Sequence, residues 1–153
     1  MVHGGKKWYI STMFIGQYDH SLEAKGRLSI PKKFRSQLES GAVLSQGLDG
    51  CLFLYPKSAW EQLISKLSQL PLTRTDARGF TRGLSYGATE VEIDSLGRIL
   101  MPEYLRQFAG ITSHCIVAGA VDRIEIWDKS KFEAYTSQIN SRREQIAEKL
   151  ELP

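Results

Sequence analysis

Three groupings of residues along this chain have types that chemistry uses, and their spacing decides what each could do. The densest is Lys25, Arg27, Lys32, Lys33 and Arg35, five cations in eleven positions with no acid among them. Cations at that density can neutralise phosphates and release counterions, which makes affinity salt-sensitive. An arginine among them can pair bidentately with guanine O6 and N7, while lysines are better suited to anchoring phosphates and setting register. The same run also fits a plain solvated face. A second grouping, Gly83-Leu84-Ser85-Tyr86-Gly87, satisfies G-x-S-x-G, and Asp94 and His114 follow in hydrolase order. A nucleophile elbow needs a strand before its serine and a helix after it. Here helical spacing precedes Ser85 and a strand pattern comes after it, so a small hydrolase using Ser85 is a remote alternative and no catalytic residue is expected. The third grouping, His3, His20 and His114 with Cys51 and Cys115, lacks metal-ligand spacing. No Walker or dinucleotide glycine pattern occurs either, so no metal and no cofactor is expected.

Composition narrows the class without naming it. The chain has 153 residues, 42% hydrophobic, with 20 Lys and Arg against 17 Asp and Glu and a net charge of +3. Length gives a soft prior of one domain. The apolar content and small net charge argue against disorder, and no run approaches the roughly 18 apolar residues of a membrane span. Two isolated cysteines suit a reducing cytoplasm better than a disulfide framework. A total of +3 that contains a +5 window, Lys25–Arg35, leaves −2 for everything else. Residues 1–12, MVHGGKKWYIST, fit poorly with the rest of the chain. The apolar run after Lys6 and Lys7 is too short, and too broken by Ser11 and Thr12, for a secretory signal. They are set apart as an N-terminal extension, with Met13 an equally good start.

The strongest signal is an internal repeat. EAKGRLSIPKKFR (23–35) aligns with DSLGRILMPEYLR (94–106) at an offset of 71, matching Gly26, Arg27, Pro31 and Arg35 to Gly97, Arg98, Pro102 and Arg106. After one inserted residue, CLFLYPKSAWEQL (51–63) aligns with RIEIWDKSKFEAY (123–135). Both copies place S-x-x-E before a helical pattern, Ser58 with Glu61 and Ser130 with Glu133, the signature of a capping box.

Each copy predicts the same elements. A short strand (Phe14–Tyr18; Thr89–Ile93) leads to an acidic residue and a Gly-Arg turn. Pro31 and Pro102 open short helices, Lys32–Leu38 and Glu103–Phe108, which Gly41 and Gly110 close. Strands come next near Val43–Ser45 and Cys51–Tyr55, and near Cys115–Ala118 and Arg123–Trp127, with Asp49-Gly50 a hairpin turn. Apolar spacing from Trp60 to Leu70 predicts a helix stopped by Pro71. Arg74, Arg78 and Arg82 would share one helical face in the linking segment, facing DNA, another subunit or solvent. The apolar stripe of the C-terminal helix breaks at Arg142 and Arg143. Neither copy of about 45 residues could easily bury a core alone, so the two are expected to share one barrel-like core with pseudo-twofold symmetry.

MFIGQYDHSLEAKGRLSIPKKFR, the GCLFLYP strand and IDSLGRILMPEYLRQFAGI together resemble the MraZ family, part of the AbrB/SpoVT group, from residue 13 to about 145. The family's D-x-x-x-R motif is intact as Asp94…Arg98, whereas the first copy has Glu23 before Arg27. The resemblance implies an α+β fold in which two fused β-hairpin/helix repeats form one swapped-hairpin, AbrB-like β-barrel with peripheral helices. The corresponding divisions are 1–12 (extension), 17–59 (first repeat), 60–87 (linking helices), 88–131 (second repeat) and 132–153 (C-terminal helix).

It further implies a non-enzymatic, sequence-specific regulator of bacterial transcription, cytoplasmic and nucleoid-associated, without membrane or small-molecule partners. Such a protein would bind short G-rich direct repeats in the promoter of the division and cell-wall gene cluster as a ring homo-oligomer. An antitoxin-like or sporulation-type regulator of the same barrel group is the alternative. The candidate DNA contacts are Lys25, Arg27, Lys32, Lys33, Arg35 and Arg98, with Glu23, Gly26, Asp94 and Gly97 shaping the turns. For Arg27 and Arg98 a second role stays open, pairing with Glu23 or Asp94 four residues earlier to brace the turn. Arg35 and Arg106 also suit a subunit contact or the edge of the core.

Overall fold

Alternating apolar and polar positions, punctuated by glycines, produce eight short strands in the computed structural model, which describes residues 13–151. The N-terminal extension, 1–12, lies outside the described residues. In the first repeat β1 (Gln17–Ser21) leads through the Gly26 turn to β2 (Arg27–Ser29), a short helix α1 (Lys32–Arg35), and the hairpin β3 (Ala42–Gln46) and β4 (Leu52–Pro56). Helices α2 (Lys57–Leu67) and α3 (Thr75–Tyr86) link the repeats. The second repeat keeps the same order: β5 (Thr89–Val91), β6 (Arg98–Leu100), α4 (Glu103–Ala109), β7 (His114–Gly119) and β8 (Ile124–Asp128). Helices α5 (Lys129–Ser141) and α6 (Arg143–Lys149) end the chain.

The repeats interlace. One antiparallel sheet has the order β1-β7-β8-β4-β3-β5, and β2 pairs with β6 in a separate two-stranded ribbon. Each repeat's first strand therefore hydrogen-bonds to the other repeat's hairpin: Tyr18 lies opposite Val117 and Glu90 opposite Val43. The hairpins meet at the sheet centre, Leu52 opposite Ile126. On the inner face Leu44, Leu52, Leu54, Val117, Ile124 and Ile126 join Leu28 and Ile99 of the ribbon in one buried core. The outer face carries Phe53, Tyr55, Ile116 and Trp127, covered by Trp60 and Leu63 of α2 and Phe132 and Tyr135 of α5. Burial on both faces explains why β4 reads LFLYP, a continuous apolar run.

Several expected elements shift. Asp49 and Gly50 both take positive φ (62° and 84°) as the central pair of the turn that the Cys51 N–H closes onto Leu48 O, inside a five-residue loop between β3 and β4. The strand expected at Phe14–Tyr18 begins instead at Gln17, because Gly16 at φ 98° interrupts it and leaves Phe14 as an isolated bridge to Val121. The helix expected over Lys32–Leu38 tightens after Arg35 into a 3₁₀ turn, Ser36–Leu38. The capping boxes do not form. The chain passes from β4 straight into α2, so Pro56 is the N-cap and Ser58 lies two residues too far in. In the second copy the cap is Asp128, whose carboxylate accepts from the Lys131 N–H at 3.2 Å. The C-terminal helix does break where its stripe fails, at Arg142 (φ −121°, ψ 13°).

Candidate nucleic-acid interface

The ribbon is the one place where both Gly-Arg turns come together. Its register pairs Arg27 with Leu100 and Ser29 with Arg98, so those four side chains share the outward face while Leu28 and Ile99 point into the core. Antiparallel pairing puts the turns at opposite ends. The Met101 N–H donates to Gly26 O and the Ile30 N–H to Gly97 O, both at 2.9 Å.

The turns are built differently. In the second, Asp94 Oδ1 accepts from the backbone N–H of Leu96 and of Arg98, both at 2.9 Å, an aspartate-closed turn. Its Oδ2 accepts from Arg98 Nε at 3.0 Å. Glu23, one methylene longer, leaves its own turn and reaches the other repeat. Oε1 accepts from Arg98 Nη1 at 3.0 Å and Oε2 from Ser29 Oγ at 3.1 Å. Without an aspartate closure, Lys25 takes a left-handed conformation (φ 64°, ψ 19°), which its counterpart Leu96 does not.

These contacts set the electrostatics. The Arg98 hydrogen bond, then that of Ser29, holds the Glu23 carboxyl below its ordinary range. Asp94 is held low chiefly by the Arg98 backbone N–H, and then by the Leu96 N–H and the Arg98 side chain. Arg98 is raised in turn, first by Glu23 and then by Asp94. Its guanidinium thus pairs with both carboxylates, the geometry of the second of the two roles open to it. Arg27, by contrast, takes part in no ion pair or side-chain hydrogen bond among the described residues, nor do Lys25, Lys32 and Lys33. Lys25, Lys32 and Lys33 are exposed, and Lys33 Nζ lies 5.6 Å from the Tyr18 ring centroid. Arg35 turns inward, donating from Nε to Ile30 O at 2.8 Å. The expected cations divide into a free set and a structural set.

Sequence spacing did not single out Ser29 as the residue that orients Glu23, although Ser29 lies inside the repeated segment. Of the linking-segment arginines, Arg74 pairs with Asp76, Arg78 Nη1 donates to Leu72 O at 3.0 Å, and Arg82 is exposed. Ser85 lies within α3, without a preceding strand, and Asp94 is occupied by Arg98, so no elbow or triad exists there. Among the described residues no cluster of three or more His, Cys, Asp and Glu could hold a metal ion, and no helix is long and apolar enough to cross a membrane.

Comparison with known proteins bears on this geometry. The model of the family described as MraZ protein, putative antitoxin-like, matches the chain twice, over residues 13–83 and 84–152. The chain is similar to the transcriptional regulator MraZ of Acetivibrio thermocellus, 48% identical over 138 residues, covering 90% of this chain and 96% of that one. The protein of the same name in Pelotomaculum thermopropionicum is 49% identical over 138 residues, 90% of this chain and 95% of that one. Its namesake in Lactobacillus delbrueckii subsp. bulgaricus is 45% identical over 139 residues, 91% and 97% of the two chains.

Proposed function

The chain belongs to the MraZ family, and from that premise we propose that it is a DNA-binding transcriptional regulator with no enzymatic role. The observation that carries the reading is the free set of cations. Arg27, with no ion pair or side-chain hydrogen bond among the described residues, stands on the outward face of a two-stranded ribbon, flanked by Lys25 and, beyond the other end, by Lys32 and Lys33. A β-ribbon fits the major groove of duplex DNA. Arg27 would read guanine, and the three lysines would anchor phosphates. Arg98 and Arg35 enter the reading as residues that hold the surface in shape. Glu23, Asp94, Gly26 and Gly97 shape its turns.

The operator, on the same reading, is a set of short G-rich direct repeats in the promoter of the bacterial division and cell-wall gene cluster. The chain acts there as a ring homo-oligomer in the cytoplasm, associated with the nucleoid. Heterologous contacts in a ring present the same surface repeatedly in one sense, which suits direct repeats, and linkage multiplies weak contacts. The interlaced strand order supports a swapped-hairpin barrel divided as 17–59 and 88–131, with linking helices over 60–87 and a C-terminal helix from 132.

Gel shifts at several salt concentrations test this with promoter duplex, scrambled duplex and RNA. Charge reversal at Lys25, Arg27, Lys32 and Lys33 is expected to abolish binding to the promoter duplex. Unchanged binding would sink the reading. Footprint spacing compared with oligomer mass tests the ring.

A further inference from the structure

We propose that Arg106, in the second repeat, is the positioning residue for the DNA-facing turn of the first repeat; this rests on the DNA-binding reading above. Gly26 is buried although Lys25 beside it is exposed. The Met101 carbonyl and the Arg106 guanidinium together cover it. A Cβ added to Gly26 would lie 2.8 Å from Arg106 Nε and 3.0 Å from its Cζ, so the planar group sits directly beneath the turn. Arg106 is held there by its own strand end: Nε donates to Met101 O at 3.0 Å, while the Met101 N–H donates to Gly26 O at 2.9 Å. Turn, strand end and guanidinium form one closed unit assembled from both repeats.

The arrangement is reciprocal. Arg35 of the first repeat donates to Ile30 O, and a Cβ on Gly97 would fall onto its guanidinium. Each arginine supports the opposite repeat's turn, yet the two supports do not carry equal weight. The Gly97 turn is also closed by Asp94 through two backbone N–H groups and the Arg98 side chain. In the first turn the carboxylate has left for Arg98 and Ser29. The backbone bonds Gly26 N–H to Glu23 O (3.2 Å), Glu23 N–H to Arg27 O (2.8 Å) and Arg27 N–H to Ala24 O remain, together with the plate beneath. Arg106 therefore governs where Lys25 and Arg27 point, and Arg35 has a redundant task.

The test measures binding of the full chain to a labelled duplex selected from a random pool by the wild type, and to a scrambled duplex. Thermal unfolding of each variant is followed in parallel. Arg106→Ala is expected to lose at least about tenfold in affinity for the selected duplex. It should keep its scrambled-duplex affinity and salt slope, because removing a phosphate contact would lower that slope by about 0.9. Arg106→Lys keeps the charge without the planar plate and is expected to lose discrimination likewise; it is read in place of the alanine variant should that one unfold. Wild-type discrimination in both Arg106 variants, or an equal fall on both duplexes with a lower slope, overturns the proposal. Lys25→Ala with Arg27→Ala separates the two levels. If that pair leaves selected-duplex binding intact, the DNA-binding surface itself is wrong. If that pair abolishes binding and the Arg106 variants keep wild-type discrimination, only the positioning role fails.

Discussion

Glu23 and Arg98, 75 residues apart in the chain, form a 3.0 Å ion pair across the ribbon, so the acidic residue of one repeat's turn braces the arginine of the other. The local partner that sequence spacing offered Glu23, Arg27, has no ion pair among the described residues. A single extra methylene in one copy of the repeat thus breaks the pseudo-symmetry of the candidate DNA-facing surface.

Acid should weaken the fold through this pair and its neighbour. Glu23 and Asp94 are held below their ordinary values of 4.5 and 3.8. The unfolded chain therefore binds more protons over that range, and the stabilisation is present above those values and lost as pH falls through the lowered ones. Urea midpoints measured from about pH 6 down to about pH 3 are expected to fall. In the double variant Glu23→Gln with Asp94→Asn the decline should be shallower; a parallel decline would mean that these carboxylates do not carry the effect.

Glycines in this chain should respond to alanine in opposite directions. Gly97 has φ 81° and Arg35 against it, so Gly97→Ala is expected to destabilise by roughly 1–3 kcal/mol. Gly79 lies within α3 at ordinary helical φ, with nothing inside 4 Å of an added Cβ. Gly79→Ala should stabilise by about 0.5–1 kcal/mol. Chemical denaturation of both variants gives the two signs directly.

Truncation at the sheet centre should be costly and on α2's trailing loop cheap. Leu54 is fully buried beside Ile124, and Leu54→Ala is expected to cost roughly 2–5 kcal/mol. Leu72 is 81% exposed, and Leu72→Ala should stay within about 0.5 kcal/mol of wild type. Similar losses at both positions would mean that Leu72 is covered in solution.

Both thiols should be silent in the native state. Burial pushes Cys51 up to about 12 and Cys115 up to about 11, and neither is exposed. Because the thiolate is the reactive form, a thiol reagent near neutral pH should label neither cysteine until denaturant is added. Rapid labelling of the native chain would contradict the burial.

The repeat was legible because its matching residues are those whose backbone demands are local. Gly26 and Gly97 adopt positive φ, Pro31 and Pro102 precede short helices, and Gly110 ends one in the left-handed region. Element positions agreed to within a few residues, and the break at Arg142 was written into the apolar stripe. The capping boxes failed because Ser58 and Ser130 match the motif in type but sit inside helices that start at Lys57 and Lys129.

What the chain states outright is a duplicated unit with two Gly-Arg turns and a cluster of positive charge in one copy. These depend on φ preferences, periodicity and residue counting, all of which are local. Which arginine is free and which is tied comes from the exchange of strands between repeats. That exchange brings Glu23 to Arg98 and sets Arg106 beneath Gly26. No local rule encodes it, because pairing one repeat's first strand with its own hairpin or with its twin's satisfies the same alternation. Burying one core shared by both copies decides between them.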